Sequence, residues 1–160
     1  MAHFAQLISN DSGELIVDRV IVIDDEDLKK KAFWDPFGLF TGKEESEKVG
    51  IGFCQTLLGK ETVWRQCSYN AKNGNGFRGN YAGPGMIYMT NVKTLGVAST
   101  DVFMDRQPFP SWSIGINTAE WCCPIPEPKM TEIEARHPGL RYVWHEELYN
   151  ENPESGWVLE

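Results

Sequence analysis

The segment from Pro108 to Pro128 is bounded by prolines at both ends and carries Trp112 and Trp121 on two short runs. Proline has no backbone N–H to donate and fixes its own φ angle, so neither end of the segment suits a helix or a central strand. Residues that favour a tight turn, among them Gly115, separate the two runs. The segment therefore predicts a β-ribbon with an aromatic face and extended ends.

A second β signal lies near the N-terminus. The run Leu15–Ile23 is too rich in β-branched residues for a comfortable helix, and it follows the β-prone run His3–Ile8 across the turn sequence N-D-S-G. We predict a β-hairpin from these two runs. The polar pair Asp18 and Arg19 interrupts the second run and indicates a bulge or a local change of exposed face.

One helix is predicted over residues 46–58, with Ser46 as its N-cap and Gly59 at its end. Two glycines inside it, Gly50 and Gly52, weaken the helix by about 1 kcal/mol each relative to alanine, so we expect it to need packing against a sheet. The same glycines would permit close approach of that sheet. The residues expected on its packed face are Val49, Phe53, Thr56 and Leu57.

Further strands are predicted where short apolar or alternating runs occur: Thr62–Tyr69, Met86–Met89 with Val102–Met104, and Leu140–Trp144. The fold class that follows is α+β and mainly β. We expect an N-terminal hairpin, one helix packed on a small antiparallel sheet, a C-terminal tryptophan-bearing ribbon and an extended tail.

A chain of 160 residues fits one domain, and we predict a single domain over residues 1–160. Within it, residues 24–48 form a charged and aromatic insertion, and residues 145–160 form an acidic tail. The tail ends in an apolar tag that includes Trp157, which we expect a partner to hold. The alternative is that the tag folds back onto its own domain.

The insertion contains an aromatic island, Phe33, Trp34, Phe37 and Phe40, whose backbone pattern is broken by Pro36. One interpretation is a loop that packs its own rings on the sheet. The other is an aromatic contact for a neighbouring subunit, since contiguous exposed aromatics mark interfaces.

A glycine- and asparagine-rich loop follows the Thr62–Tyr69 strand. It contains no G-x-x-x-x-G-K-[ST] motif, and no G-x-G-x-x-G motif opens a helix there, so we do not expect it to bind phosphate. Arg78 and Tyr81 are the residues in this loop most able to touch a partner.

The formal net charge of -8 argues against nucleic acid as a partner, because phosphate binding depends on clustered Lys and Arg. No stretch approaches the ~20 apolar residues of a membrane span, so we expect no membrane partner. The four cysteines form no C-x-x-C pair, and we expect buried thiols rather than disulfides or a zinc site.

The sequence contains no recognisable catalytic spacing. Its three histidines are far apart, and the closest catalytic fragment is His145 beside Glu146 and Glu147. A cysteine nucleophile with a histidine base stays open, since such pairs meet in space. We predict a protein that is not an enzyme and has no metal, cofactor or catalytic residues.

Aromatic residues make up 12% of the chain, which suits either a carbohydrate-binding module or an assembly protein. The two differ in geometry. A sugar platform needs coplanar exposed rings beside Asp, Asn or Gln, whereas an assembly contact inserts rings into a partner's pocket.

Several motifs, in this order, resemble a group of short proteins encoded by tailed bacteriophages, especially those of marine bacteria and cyanobacteria: H-F-A-Q-L, V-I-V-I-D, G-I-G-F-C-Q-T-L-L-G, W-R-Q-C-S-Y-N, F-R-G-N-Y-A-G-P-G, P-F-P-S-W and R-Y-V-W. The resemblance covers most of the chain. The aromatic island and the acidic tail depart from the pattern.

The resemblance implies a non-enzymatic structural protein of the virion that is made in the host cytoplasm, and we expect a capsid decoration or cement protein. The alternatives are a tail, neck or fibre component and a carbohydrate-binding module. Partners would be the major capsid protein or tail and neck proteins, with the chain present as a homo-oligomer or in many copies. The predicted partner-binding residues are Phe33, Trp34, Phe37, Phe40, Arg78, Tyr81, Trp112, Trp121 and Trp157.

Overall fold

A computed structural model of the chain describes residues 1–24, 26, 28, 43–71, 77–92, 101–115 and 119–160. The Cα positions group into two compact units: Met1–Arg106 with Ile116–Ala119, and Gln107–Gly115 with Glu120–Glu160. We call them the N-terminal and the C-terminal unit and describe each by itself. The single domain over residues 1–160 stays a prediction.

The N-terminal unit is built on a hairpin of two long strands, β1 (Ala2–Ser9) and β2 (Leu15–Ile23), as predicted. Gln6 of β1 lies opposite Arg19, while the next residue along lies opposite Val17. Asp18 is therefore the extra residue of a β-bulge, which confirms the irregularity predicted from the polar pair.

Three shorter strands complete an antiparallel sheet of order β3-β1-β2-β4-β5. They are β3 (Val63–Cys67), β4 (Ile87–Met89) and β5 (Val102–Met104). The predicted pairing of the Met86–Met89 run with the Val102–Met104 run is confirmed. The mainly β, α+β fold class is therefore what the structure shows.

Helix α1 spans Lys43–Leu58 and begins earlier than predicted. Ser46 lies inside the helix, so its assignment as the N-cap is wrong. The prediction relied on the strong cap preference of serine, but Lys and Glu are good helix formers and the lysine and two glutamates before Ser46 extend the helix toward the N-terminus.

The packed face of α1 is also displaced from the predicted one. Cys54 is fully buried and Gly50 is buried, whereas Thr56 and Leu57 are exposed. A Cβ atom on Gly50 would collide with the ring of Phe4 in β1, which confirms the close approach predicted there. The same prediction is wrong for Gly52, which is exposed and has no atom within 4 Å of its Cβ position. Val49 and Phe53, two of the four predicted residues, do pack against this core, whereas hydrophobic periodicity did not include Gly50 because glycine has no apolar side chain.

Each face of the sheet carries its own group of buried side chains. The α1 face includes Ala2, Phe4, Ile23, Leu28, Cys54 and Trp64. The opposite face includes Ala5, Leu7, Val17, Cys67, Ala82, Tyr88 and Phe103. Strand β1, which lies between β3 and β2, is thus buried on both sides, since side chains pack against each face of the sheet there.

The C-terminal unit contains two short ribbons. Strands β6 (Ser113–Ile114) and β7 (Trp121–Cys122) pair antiparallel, which confirms the ribbon predicted between the prolines. A 3-10 turn at Glu134–Arg136 precedes the second ribbon. That ribbon pairs β8 (Tyr142–Trp144) with β9 (Trp157–Leu159), and helix α2 (Glu146–Glu151) lies between them in sequence.

The acidic tail is folded onto its own unit, as in the alternative prediction, and a contact of the tail with a partner stays a prediction. Strand β9 places Trp157 opposite Trp144. Glu160 exchanges backbone hydrogen bonds of 2.9 and 2.7 Å with Arg141, and its side chain bonds His145 at 2.8 Å. The terminal tag therefore folds back onto its own unit, where strand pairing offsets the ordering entropy.

Candidate functional site

Three aromatic rings meet at the surface of the N-terminal unit. Nδ1 of His3 lies 3.0 Å from the hydroxyl of Tyr81, and the two ring centroids are 5.4 Å apart. Tyr69 lies 6.2 Å from His3 and 5.5 Å from Tyr81, centroid to centroid. Tyr69 is 72% exposed and Tyr81 is exposed as well. We call His3, Tyr69 and Tyr81 the surface cluster.

Strand pairing brings His3 and Tyr69 together. His3 on β1 lies opposite Cys67 at the end of β3, and Tyr69 follows two residues later in the chain. Tyr81 comes from the glycine-rich loop and is followed by Ala82, which is buried in the core. Burial raises the pKa of Tyr81, and the nearby Cys67 and Tyr69 act in the same direction. The ring is therefore anchored by its neighbours while part of it faces solvent.

The rings of the surface cluster do not form a flat platform. The plane of Tyr81 makes angles of 82° with His3 and 71° with Tyr69. His3 and Tyr69 are closer to parallel, at 27°. Such edge-to-face contacts are favourable between aromatic rings. They also present an angular surface, whereas a sugar stacks on coplanar rings.

Arg78, predicted to touch a partner, is largely internal, with a side chain that is 13% exposed. Its Nη1 lies 3.0 Å from Oε1 of Glu47 and donates a 2.8 Å hydrogen bond to the carbonyl of Gln66. Its backbone carbonyl accepts from the N–H groups of Asn80 and Phe103. Arg78 therefore ties the glycine-rich loop to β3 and to β5, and we do not place it in the candidate surface.

The loop needs unusual backbone geometry to make these contacts. Arg78 has a φ of 60° and Gly79 a φ of 68°. A Cβ atom on Gly79 would also collide with Ala119. Glycine is the residue that adopts such a conformation without a steric penalty. Glycine at position 79 is therefore explained by the backbone conformation and the close contact with Ala119.

The buried thiols do not suit a nucleophile. Burial raises the pKa of Cys54 and of Cys67 to about 11, so both are protonated at neutral pH. Cys122 is exposed and Cys123 half-buried, which departs from the expectation that the thiols are buried, and all four are free. Among the residues that the structure describes, no three His, Cys, Asp or Glu side chains lie together in a way that could hold a metal ion.

The predicted tryptophans belong to the C-terminal unit. Trp144 is buried, and its ring centroid lies 6.4 Å from Trp112 and 5.3 Å from Trp157. Trp157 also donates its indole N–H to the carbonyl of Ile125. We call Trp112, Trp144 and Trp157 the tryptophan cluster. Trp144 is the buried ring of this cluster, and Trp112, Trp157 and also Trp121, on β7, are half-buried.

Glu146 supplies the polar anchor of the tryptophan cluster. Its carboxylate accepts hydrogen bonds from the indole N–H of Trp144 at 2.9 Å and from the backbone N–H and hydroxyl of Ser111 at 2.9 and 2.7 Å. The bond from Trp144 and then those from Ser111 lower the pKa of Glu146. This glutamate, noted in the sequence only as a neighbour of His145, is therefore structural.

Sequence reasoning reached part of the surface cluster. It predicted Tyr81 and missed His3 and Tyr69. The alternation of the third strand did contain a signal for Tyr69, because it places Tyr69 on the same face as Cys67, the residue opposite His3. Nothing local pairs residue 3 with residue 67. The predicted aromatic island, Phe33, Trp34, Phe37 and Phe40, lies outside the described residues.

In the described parts of the chain, no helix combines the length and the apolar character that a membrane crossing requires. Comparisons with protein-family models, with curated proteins and with solved structures find no match for this chain.

Proposed function

We propose that this chain is a non-enzymatic structural protein of a tailed-phage virion that joins other virion proteins through its surface cluster. The preferred role is capsid decoration or cementing, with the major capsid protein as partner. A tail, neck or fibre component is the second role within the same class. The observation that carries an assembly function is the exposed group of three contacting rings.

Tyrosine supports an assembly role for physical reasons. It buries a large rigid area at a low cost in side-chain entropy, and it is enriched at protein interfaces and among residues that dominate binding energy. The phage-type motifs support the virion as the place of assembly. Together these features favour a protein contact that is made in many copies on a particle.

The ring geometry favours this role over a carbohydrate-binding one. Tyr81 stands nearly perpendicular to the other two rings, so a sugar would find only His3 and Tyr69 close to one plane. A protein partner can instead enclose rings that project in different directions.

A particle-incorporation experiment tests the proposal. The protein is supplied from a plasmid as the only copy during particle assembly, either unchanged or as Tyr69→Ala with Tyr81→Ala. We expect the double variant to be incorporated about tenfold less, which corresponds to ~1.4 kcal/mol of contact energy, because it removes exposed interface rings. Leu57→Ala, at an exposed position on α1, is the matched control and should be incorporated normally.

Normal incorporation of the double variant would contradict the proposal. Loss of binding to a glycan array on the same double substitution would instead assign a carbohydrate-binding function. The copy number relative to the major capsid protein separates the two virion roles, since a decoration protein is present in comparable numbers and a tail protein in far fewer.

A further inference from the structure

The edge of β2 that faces away from β1 is paired along the first half of the strand and, within the described chain, unpaired along the second half. In its first half β2 faces β4, and Val17 donates to the carbonyl of Met86 and accepts from the N–H of Gly85, both at 2.8 Å. Beyond the bulge at Asp18, no strand of the described chain continues this pairing. The second half of β2 therefore has a strand neighbour on one side only.

The backbone groups on that edge belong to Val20 and Val22. In an antiparallel sheet, successive residues direct their N–H and C=O alternately toward the two sides of the strand. Gln66 on β3 turns both groups away from β1, and the strand register carries this alternation across β1. The backbone N–H and C=O of Ile21 therefore face β1, and those of Val20 and Val22 face outward. Within the described residues, no hydrogen bond occupies these outward groups.

On the two outermost strands of the same sheet, by contrast, outward-facing backbone groups have hydrogen-bond partners. At β3, the N–H of Gln66 donates to Glu47 and its carbonyl accepts from Arg78. At β5, the N–H of Phe103 donates to the carbonyl of Arg78, and its own carbonyl accepts from the side chain of Asn80 at 2.7 Å. Side chains and loop backbone thus close both edges. Natural sheets block their edges in such ways to avoid pairing with other chains.

The open edge adjoins the surface cluster. Val22 lies directly opposite His3, so the two side chains share one face of the sheet. Val22 is 51% exposed, and Val20 on the same face is half-buried. A strand added beside β2 would place its own side chains next to these valines and extend the exposed apolar row.

We propose that the Val20–Val22 edge of β2 accepts an extended segment of a partner protein as an additional antiparallel strand. Main-chain hydrogen bonds to Val20 and Val22 would supply affinity, and side chains opposite the two valines would supply specificity. Asp24 and Glu26 are exposed just beyond the end of β2, and the chain carries a net charge of -8. The segment that fits therefore reads Lys or Arg, any residue, apolar, any residue, apolar, from its N-terminus.

A second copy of this chain fits the edge less well. A two-fold pairing centred on Ile21 would let Val20 and Val22 exchange hydrogen bonds with their counterparts. The same register would put Asp18 opposite Asp24 of the other copy at both ends, and like charges directly opposite each other destabilise a strand pair. The ion pair of Asp18 with Arg19, at 3.1 Å, leaves one carboxylate in excess at each end. The acidic edge thus selects a basic segment from another protein.

This inference goes beyond the proposed function, because a strand-binding edge does not depend on membership in a virion. It also concerns backbone groups, whereas the incorporation experiment changes only the tyrosines of the surface cluster. The two can fail separately.

Peptide binding to the full chain, followed by NMR, tests it. The probe is acetyl-Thr-Lys-Thr-Val-Thr-Val-Thr-amide. In the free protein the N–H of Ile21 should exchange slowly with solvent and those of Val20 and Val22 quickly. At saturating peptide we expect exchange at both valines to slow by about tenfold or more.

Two control peptides separate strand addition from other binding. N-methylation of both valines removes the N–H groups that would pair with Val22 and Val20, and it should abolish binding. Replacement of the lysine by glutamate should weaken binding severalfold through repulsion from Asp24 and Glu26.

Substitutions in β2 complete the test. Val20→Pro removes an outward N–H while keeping a strand-compatible φ, so it should weaken peptide binding about tenfold or more, and Val20→Thr should not. Should the proline variant fail to fold, Val22→Lys compared with Val22→Thr serves the same purpose through repulsion of the basic peptide.

Several results would overturn the proposal. Unchanged exchange at Val20 and Val22 with saturating peptide is one, and equal binding of the N-methylated peptide or of the glutamate peptide is another. The proposal would also be overturned if sedimentation analysis showed that the free protein is a dimer and that Val20→Pro dissociates it, since a second copy would then occupy the edge.

Discussion

The surface cluster and the tryptophan cluster are alike in ring geometry but differ in exposure: the two tyrosines of the first are exposed, whereas no ring of the second is. The centroid distances within them run from 5.4 to 6.2 Å and from 5.3 to 6.4 Å, and both contain edge-to-face pairs. Yet Trp144 is 5% exposed while Tyr69 is 72% exposed. Ring contacts alone therefore do not distinguish a core from a binding surface. What distinguishes them is whether the surrounding chain covers the rings.

The difference comes from what each cluster is attached to. The tryptophans are held between a paired ribbon, β8–β9, and the residues before β6, and Glu146 and Ile125 accept indole hydrogen bonds. The surface cluster lies where β3 ends, and no described strand lies beyond it on that side. Tyrosine and histidine tolerate that position because each has a polar group that water can solvate.

The largest effect should come from the buried ring. Trp144→Ala removes the central ring of the tryptophan cluster and the donor to Glu146, so we expect a loss of about 3 to 5 kcal/mol in the free energy of unfolding of the C-terminal unit. Urea unfolding followed by tryptophan fluorescence measures it. Trp144→Phe should recover part of the loss. A loss of less than about 1 kcal/mol would show that the cluster is not a core.

A smaller effect on stability should come from protonation of the Glu146 carboxylate at low pH. Its pKa is lowered in the folded protein, by the hydrogen bond from Trp144 first and then by those from Ser111, from an ordinary value of 4.5. The stabilisation is therefore fully present above that value and lost as the pH falls through the lower folded pKa. We expect the Tm of the unchanged protein to fall more steeply below about pH 4.5 than the Tm of Glu146→Gln.

A second substitution checks the source of that slope. Ser111→Ala removes one of the three hydrogen bonds to Glu146, so its slope should lie between those of the unchanged protein and Glu146→Gln. Parallel pH profiles for all three proteins would show that Glu146 is not the group responsible.

The smallest effect should be that of Tyr69→Ala on stability. Most of the ring faces solvent, so the free energy of unfolding should change by about 0.5 kcal/mol or less. Thermal unfolding of the unchanged and substituted proteins gives the comparison with Trp144→Ala. A loss comparable to that of the buried tryptophan would place Tyr69 in the core and remove the basis for a binding surface.

Local patterns predicted much of the fold. The hairpin β1–β2, its bulge at Asp18 and the ribbon β6–β7 all join residues that are close in sequence, where alternation, turn residues and prolines act directly. The helix was predicted, but only Val49 and Phe53 of its predicted packed face contact the core, and Gly50 was left out because it contributes no hydrophobicity to a periodic pattern.

The candidate surface could be predicted only in part. Tyr81 was predicted because it lies in a glycine- and asparagine-rich loop. His3 contacts Tyr81 only in the folded sheet, across 78 residues of sequence, and no local pattern predicts that contact. Arg78 was named for the same reason as Tyr81, and the structure places its side chain inside. A loop sequence shows which residues can reach a partner but not which of them the protein uses for its own packing.

By itself the sequence determined the strand-forming runs and the stiff ends of the tryptophan ribbon, because these depend on backbone chemistry within a few residues. Tertiary structure alone decided that Tyr69 and Tyr81 stay at the surface, that Trp157 pairs with Trp144 of its own unit and that Val20 and Val22 face outward unpaired in the described chain. Burial and strand neighbours depend on residues far apart in the chain, and a pattern read along one segment contains no record of what will lie across from it.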